Sequence, residues 1–205
     1  NNLLSGLEGN DTLDASGGND TLNGGTGNDH MSGGAGSDVY FVDSSLDVIV
    51  ENGASGTDLV YTTASFTMAS GLETLIMQGT ANLAATGNTS ANTITGNAGI
   101  NILTGGSGND TLTGNAGNDT LVGGTDRDTA DYSYLTTGLV ASLAIIGTTT
   151  VTAAAGDTDV LSGIENLVGG SGDDTLRGDL GANELTGGTG NDTLRGQAGN
   201  DTLLG

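Results

Sequence analysis

Thirteen carboxylate or amide side chains recur every nine residues within three arrays. They are Asp11, Asp20, Asp29 and Asp38, then Asn92, Asn101, Asp110, Asp119 and Asp128, then Asp174, Asn183, Asp192 and Asp201. Each stands sixth in the phrase Gly-Gly-x-Gly-Asn-Asp-Thr-Leu-x, which is clearest over 24–29, 105–112 and 187–194. Glycines let the backbone turn tightly, and an oxygen donor returns at a fixed step. Side-chain oxygens without thiolate or imidazole partners suit a hard cation, and the regular supply of carboxylates points to calcium.

Those donors need a scaffold of the same period. The eighth position is apolar in every repeat: Leu13, Leu22, Met31 and Tyr40; Ile94, Leu103, Leu112, Leu121 and Ala130; Leu176, Leu185, Leu194 and Leu203. Its neighbours at positions seven and nine are mostly polar, which is strand alternation reduced to one residue in and two out. Six residues turn and three form a strand, so two repeats close a coil of eighteen whose copies stack in parallel and bury the Leu row. The stretches between arrays read as degenerate continuations. Asp47 and Ile49 keep the phase, and residues 53–60 resemble a further repeat after a two-residue insertion. The segment 71–76 is echoed by 163–168, with Glu165 nine before Asp174. Within 132–162, residues 139–143 and 148–152 read as two strands joined by a loop. Asp126 and Asp157 fall off the nine-residue phase. The expected organisation is one continuous solenoid: a first array over 1–43, a degenerate spacer over 44–86, a second array over 87–131, a β spacer over 132–168 and a third array over 169–205.

The phrase resembles the repeats-in-toxin (RTX) nonapeptide, Gly-Gly-x-Gly-x-Asp-x-U-x with U a large aliphatic residue. The resemblance covers a little over half the chain. It implies an all-β fold, a right-handed parallel β-roll or β-helix solenoid with calcium in rows along both turn edges. The implied ligands are the position-six side chains and carbonyls of the glycine-rich turns. Carried onto this chain, the turn residues are Gly25, Gly27, Gly34, Gly36, Gly106, Gly108, Gly117, Gly124, Gly170, Gly172, Gly188, Gly190 and Gly199. Ligand turns would meet eighteen residues apart, pairing Asp11 with Asp29, Asp20 with Asp38, Asp110 with Asp128, Asp174 with Asp192, and Asn183 with Asp201. Asn92, Asn101 and Asn183 depart from the motif; a neutral amide still offers an oxygen but weakens a site. Gly6-Leu7 and Ala15-Ser16 replace the glycine pair in the first two repeats, so those turns are expected to bind poorly. The family implies a bacterial protein that is secreted or held at the cell surface.

Composition narrows the function classes. A net charge of −22 with three basic residues leaves nothing to neutralise phosphates and argues against a nucleic-acid partner. There is no cysteine, hence no disulfide and no thiolate metal site. No apolar run is long enough to enter a membrane as a spanning helix. No signal peptide opens the chain, and both ends stand inside the repeat rhythm, as expected of a piece of something longer. About ten bound calcium ions, one per Asp turn, would bring the charge to roughly −2. With 39 glycines and one apolar side chain per repeat, the metal-free chain is expected to be disordered or loosely collapsed and to fold in extracellular calcium.

No constellation for catalysis is present. His30, the one histidine, occupies an outward strand position, and no nucleophile or zinc-protease motif accompanies it. Asp126, Asp128 and Asp131 resemble part of an EF-hand loop without its helices or closing Glu. The first reading is therefore a non-enzymatic, calcium-folded structural module of surface-layer, adhesin or extracellular-filament type. Its partners would be calcium ions and, end to end, either a second copy or neighbouring domains. The alternative is an accessory module of a secreted protease, lipase or polysaccharide-modifying enzyme. A third reading, ice binding, rests on Thr rows such as Thr93, Thr111, Thr120 and Thr129.

Overall fold

The position-eight row decides the architecture, because it is the one set of side chains that can leave water together. In the computed structural model, which describes residues 1–51, 56–144, 147–152 and 157–205, the chain coils into an all-β solenoid with two sheet faces. Gly53, Ala54 and Ser55 of the expected extra repeat lie outside the described residues. Among the described residues no helix is long and apolar enough to cross a membrane.

One face is a continuous parallel sheet of eleven strands: β1 (Leu3–Ser5), β3 (Thr21–Asn23), β5 (Val39–Val42), β7 (Leu59–Thr62), β9 (Thr74–Met77), β11 (Thr93–Thr95), β13 (Thr111–Thr113), β15 (Thr129–Asp131), β19 (Asn166–Val168), β21 (Glu184–Thr186) and β23 (Thr202–Leu204). Its register aligns one residue per coil through Leu4, Leu22, Tyr40, Val60, Leu75, Ile94, Leu112, Ala130, Leu167, Leu185 and Leu203. Between Leu22 and Leu185 every member of this row is buried. The first spacer contributes longer strands, as read from the sequence, since β7 and β9 have four residues where array strands mostly have three.

The second face is divided. β2 (Thr12–Asp14), β4 (His30–Ser32) and β6 (Val48–Ile49) form one sheet. The other holds β8 (Phe66–Thr67), β10 (Ala84–Thr86), β12 (Ile102–Ser107), β14 (Thr120–Thr125), β16 (Val140–Ser142), β17 (Thr148–Thr152), β18 (Thr158–Ser162), β20 (Thr175–Arg177) and β22 (Thr193–Arg195). Here the second spacer departs from simple coiling. The two strands expected from residues 139–143 and 148–152 are present as β16 and β17, but β17 runs antiparallel to both β16 and β18. β18 then pairs in parallel with β14, and β16 with β20. A three-strand meander thus fills one step of this face, while the opposite face passes directly from β15 to β19. Leu139, Ala141, Val151 and Leu161 bury its inner side.

Candidate metal sites

Each position-six residue immediately precedes a strand, so its backbone sits at a corner where the sheet ladder stops. Its side chain continues the ladder there. The N–H of one coil donates to Oδ1 of the Asp one coil further on: Asp11 to Asp29 at 2.8 Å, Asp20 to Asp38 at 2.7 Å, Asp110 to Asp128 at 2.9 Å, Asp174 to Asp192 at 2.9 Å and Asn183 to Asp201 at 3.0 Å. Asn92 and Asn101 donate likewise to Asp110 and Asp119, both at 2.7 Å. These are the partners expected from an eighteen-residue coil. The ladder also runs through the spacers, where Asp47, Asp58, Glu73 and Glu165 accept from Asp29, Asp38, Asp58 and Asp128.

The second carboxylate oxygen divides the turns into two kinds. In Asp11, Asp20, Asp29, Asp38, Asp110, Asp119 and Asp128, Oδ2 is buried and has no hydrogen-bond partner among the described residues. In every one of these turns the residue at position two has a positive φ: Leu7, Ser16, Gly25, Gly34, Gly106, Asn115 and Gly124. That conformation turns the position-two N–H outward. Ser16 N–H bonds Asp14 and Gly25 N–H bonds Asn23, each two residues back, rather than the carboxylate within the turn. In the other kind, position two keeps a negative φ and its N–H closes the turn on position six. Asn88 donates to Asn92, Asn97 to Asn101, Asp179 to Asn183, each at 2.8 Å, and Gly170 to Asp174 at 2.9 Å. The amide of each Asn then donates as well, Asn92 to Leu72 O, Asn101 to Asn97 Oδ1 and Asn183 to Glu165 O. A closed Asn turn is satisfied by the protein alone.

The glycines serve distinct purposes. At position one, a Cβ on Gly24 would overlap Asp29 Oδ2, so that glycine makes room for the carboxylate of its own turn. At position two, Gly25 has φ +92, and a Cβ would overlap the Leu7 carbonyl of the preceding coil. The position-four residues Gly27, Gly36, Gly108, Gly117, Gly190 and Gly199 also have positive φ. Gly34, Gly106, Gly124 and Gly188 share the conformation of Gly25, whereas Gly170 and Gly172 do not, because the coil before them is the irregular spacer around Leu135 and Gly138. Asn115 and Gln197 stand at position two after closed Asn turns, and their side-chain amides donate to Gly96 O and Gly178 O of those turns.

Desolvation shapes the electrostatics. Burial pushes the Asp119 carboxyl up to about 7, helped by Asp159 and Asp157, and lifts Asp128 and Asp159 to about 6. Asp38 and Asp110 are raised for the same primary reason. Buried carboxylate oxygens with no donor, no basic side chain and no nitrogen or sulfur ligand nearby fit a hard cation; the one counter-charge is the chain's amino terminus, 3.4 Å from Asp20 Oδ1. Asp159 was not legible from the phase, since it lies forty residues from its partner Asp119 where a regular coil spans eighteen. Its signal was local: Asp159-Val160-Leu161 repeats the Asp-x-Leu of an array. Asp157, off the phase, nevertheless accepts from Gly117 N–H at 3.0 Å, and Asp126 accepts from Gly108 N–H at 3.1 Å. His30 is exposed on β4, as its position predicts. Tyr132, at the head of the second spacer, donates to Asp159 at 2.9 Å.

Comparison with known proteins agrees with this geometry. The model of the RTX calcium-binding nonapeptide repeat matches residues 5–40, 86–121, 95–130, 159–194 and 178–205, together more than half of the chain. No curated protein matches it.

Proposed function

We infer the function from one premise: the chain belongs to the RTX calcium-binding nonapeptide repeat family, and its repeats bind calcium. We propose that it is a calcium-folded, non-enzymatic structural module of a secreted or cell-surface bacterial protein, of surface-layer, adhesin or extracellular-filament type. The observation that carries this reading is the row of buried, unpartnered Oδ2 atoms on Asp11, Asp20, Asp29, Asp38, Asp110, Asp119 and Asp128. Calcium bound there supplies the positive charge that lets neighbouring coils close. The chain's own part is to hold each carboxylate inward, under a position-one glycine in every such turn but that of Asp20, where Ala15 stands, with Oδ1 fixed by the previous coil. Asp192 and Asp201, which follow positive-φ residues Gly188 and Gln197, belong with the open turns. Asn92, Asn101 and Asn183, whose amides already close their turns, serve as metal-free corners in this reading.

The same design explains why the fold would wait for calcium. Seven buried Asp Oδ2 atoms without a donor oppose folding in the cytosol, where calcium is scarce, and extracellular millimolar calcium relieves that opposition. Circular dichroism across a calcium titration of the whole chain tests it. The expected result is a cooperative gain of β signal with calcium and a poor response to magnesium, which demands small octahedral sites and keeps its waters. Full β signal in excess chelator would refute the reading.

A further inference from the structure

The first array ends at a place the nonapeptide phase does not describe. Asp38 and its successor Asp58 are twenty residues apart instead of eighteen, and Glu51 enters between them. We propose that Asp38, Glu51 and Asp58 form a divalent-cation site of three side-chain carboxylates, in which Glu51 joins two residues of the position-six ladder.

A donor oxygen from each of the three lies within 4.8 Å of the others. Asp38 is only 1% exposed. Its Oδ1 accepts from Asp20 N–H at 2.7 Å, while Oδ2 is turned inward beside the Tyr40 hydroxyl, against Gly33, and has no partner among the described residues. Glu51 uses Oε1 to accept from the Tyr40 hydroxyl, and its buried Oε2 is likewise without a partner. Asp58, 2% exposed, has Oδ1 engaged by Asp38 N–H at 2.7 Å. Glu73 adds a further negative charge through its bond to Asp58 N–H. No cationic side chain answers them, since the three basic residues of the chain are Arg127, Arg177 and Arg195, all in the second half. Three carboxylates answered by two backbone N–H groups and one hydroxyl, all neutral, leave a gap of charge that a hard cation fills.

Glu51 is what makes this site different. A repeat turn offers position-six side chains and neutral carbonyls; here a carboxylate on a flexible stem stands at the opening of the next turn. On the opposite edge Asp29, Asp43 and Asp47 also converge, but there backbone N–H groups already bond both Asp47 oxygens and Asp43 is exposed. A higher ligand charge makes a tighter site and one that favours trivalent over divalent ions. The inference depends on the calcium reading for the physiological ion, and on the carboxylate geometry alone for the existence of the site.

Tyr40 supplies a reporter. Its hydroxyl touches a ligand residue, so it should sensitise the emission of terbium bound there. The experiment titrates terbium into the whole 205-residue chain and compares the wild type with Y40F and E51Q, with calcium-induced circular dichroism measured on each. The expected result is an emission component lost in Y40F, with half-saturation raised about tenfold in E51Q through loss of one charged ligand, each variant being compared at the calcium concentration where circular dichroism shows it fully folded. If E51Q does not reach the wild-type β signal, Y40F carries the comparison. Emission and midpoint unchanged in Y40F overturn the site whether or not calcium folds the chain. A Tyr40-dependent component in a chain that is already β-rich in chelator keeps the site and removes the folding reading instead.

Discussion

Asp and Asn at position six differ by one group, yet the structure gives them opposite needs. An Asp in an open turn has one oxygen on the ladder and one facing nothing; an Asn in a closed turn finds a carbonyl or amide oxygen for its NH₂. We therefore predict that Asp119→Ala raises the calcium midpoint of folding at least several-fold. Asn101→Ala should leave that midpoint nearly unchanged and lower the stability of the calcium-loaded chain by about 1–3 kcal/mol, as expected for buried polar groups left unpaired. Parallel calcium titrations and thermal melts separate the two, and equal midpoint shifts would remove the distinction. Protonation offers a second test. Burial raises Asp119 to about 7 and Asp58, Asp128 and Asp159 to about 6, above the ordinary unfolded value of about 4. The metal-free fold thus binds more protons than the unfolded chain. Its stability is fully gained below about pH 4 and lost as pH rises through 6 to 7. We predict that the calcium-free chain gains β signal on acidification from pH 8 to 5, while the calcium midpoint rises over the same range because protons compete for the same oxygens. A metal-free β signal that falls on acidification would contradict this.

At the scale of the element, the sign of φ at position two decides whether a turn is open or closed. Gly25→Ala should be strongly destabilising, since it strains φ +92 and drives a methyl into the Leu7 carbonyl. Gly9→Ala has a positive φ too but meets open space, so it should cost only the backbone strain, about 1–3 kcal/mol. Melts of the two calcium-loaded variants check the difference. The meander is a second element with a clear expectation. Excising residues 137–158 brings Asp159 to eighteen residues after Asp119, the regular coil step. The shortened chain should keep calcium-dependent folding, with a lower melting temperature from the loss of Leu139, Ala141 and Val151 from the core. Failure to fold in calcium would show that β16 and β17 are required rather than inserted.

For the whole molecule, coils meet only their neighbours, so each end of the described solenoid presents a strand edge. β1 and β23 each have one partner, and Leu3, Leu203 and Leu204 are exposed there. Acidic residues line the turn edges and resist side-to-side contact. We predict that association of this chain, when calcium is present, runs end to end and increases with protein concentration. Sedimentation in millimolar calcium reads it out. A strictly monomeric species throughout would favour ends covered by neighbouring domains.

The nine-residue spacing and the apolar eighth position were enough to determine a parallel solenoid and its eighteen-residue coil, because a period survives in sequence whenever every copy must meet the same neighbour. The echo of 71–76 in 163–168 showed that the spacers continue the solenoid, and the structure adds that Glu73 and Glu165 there take the place of the position-six Asp. What required the tertiary structure were contacts between residues that no period relates. Asp159 returned to Asp119 only after the meander brought it back, and Glu51 met Asp38 and Asp58 only in three dimensions. Whether Asn101 needed a cation depended on where Asn97 N–H pointed, a single backbone torsion that residue types at this spacing leave open.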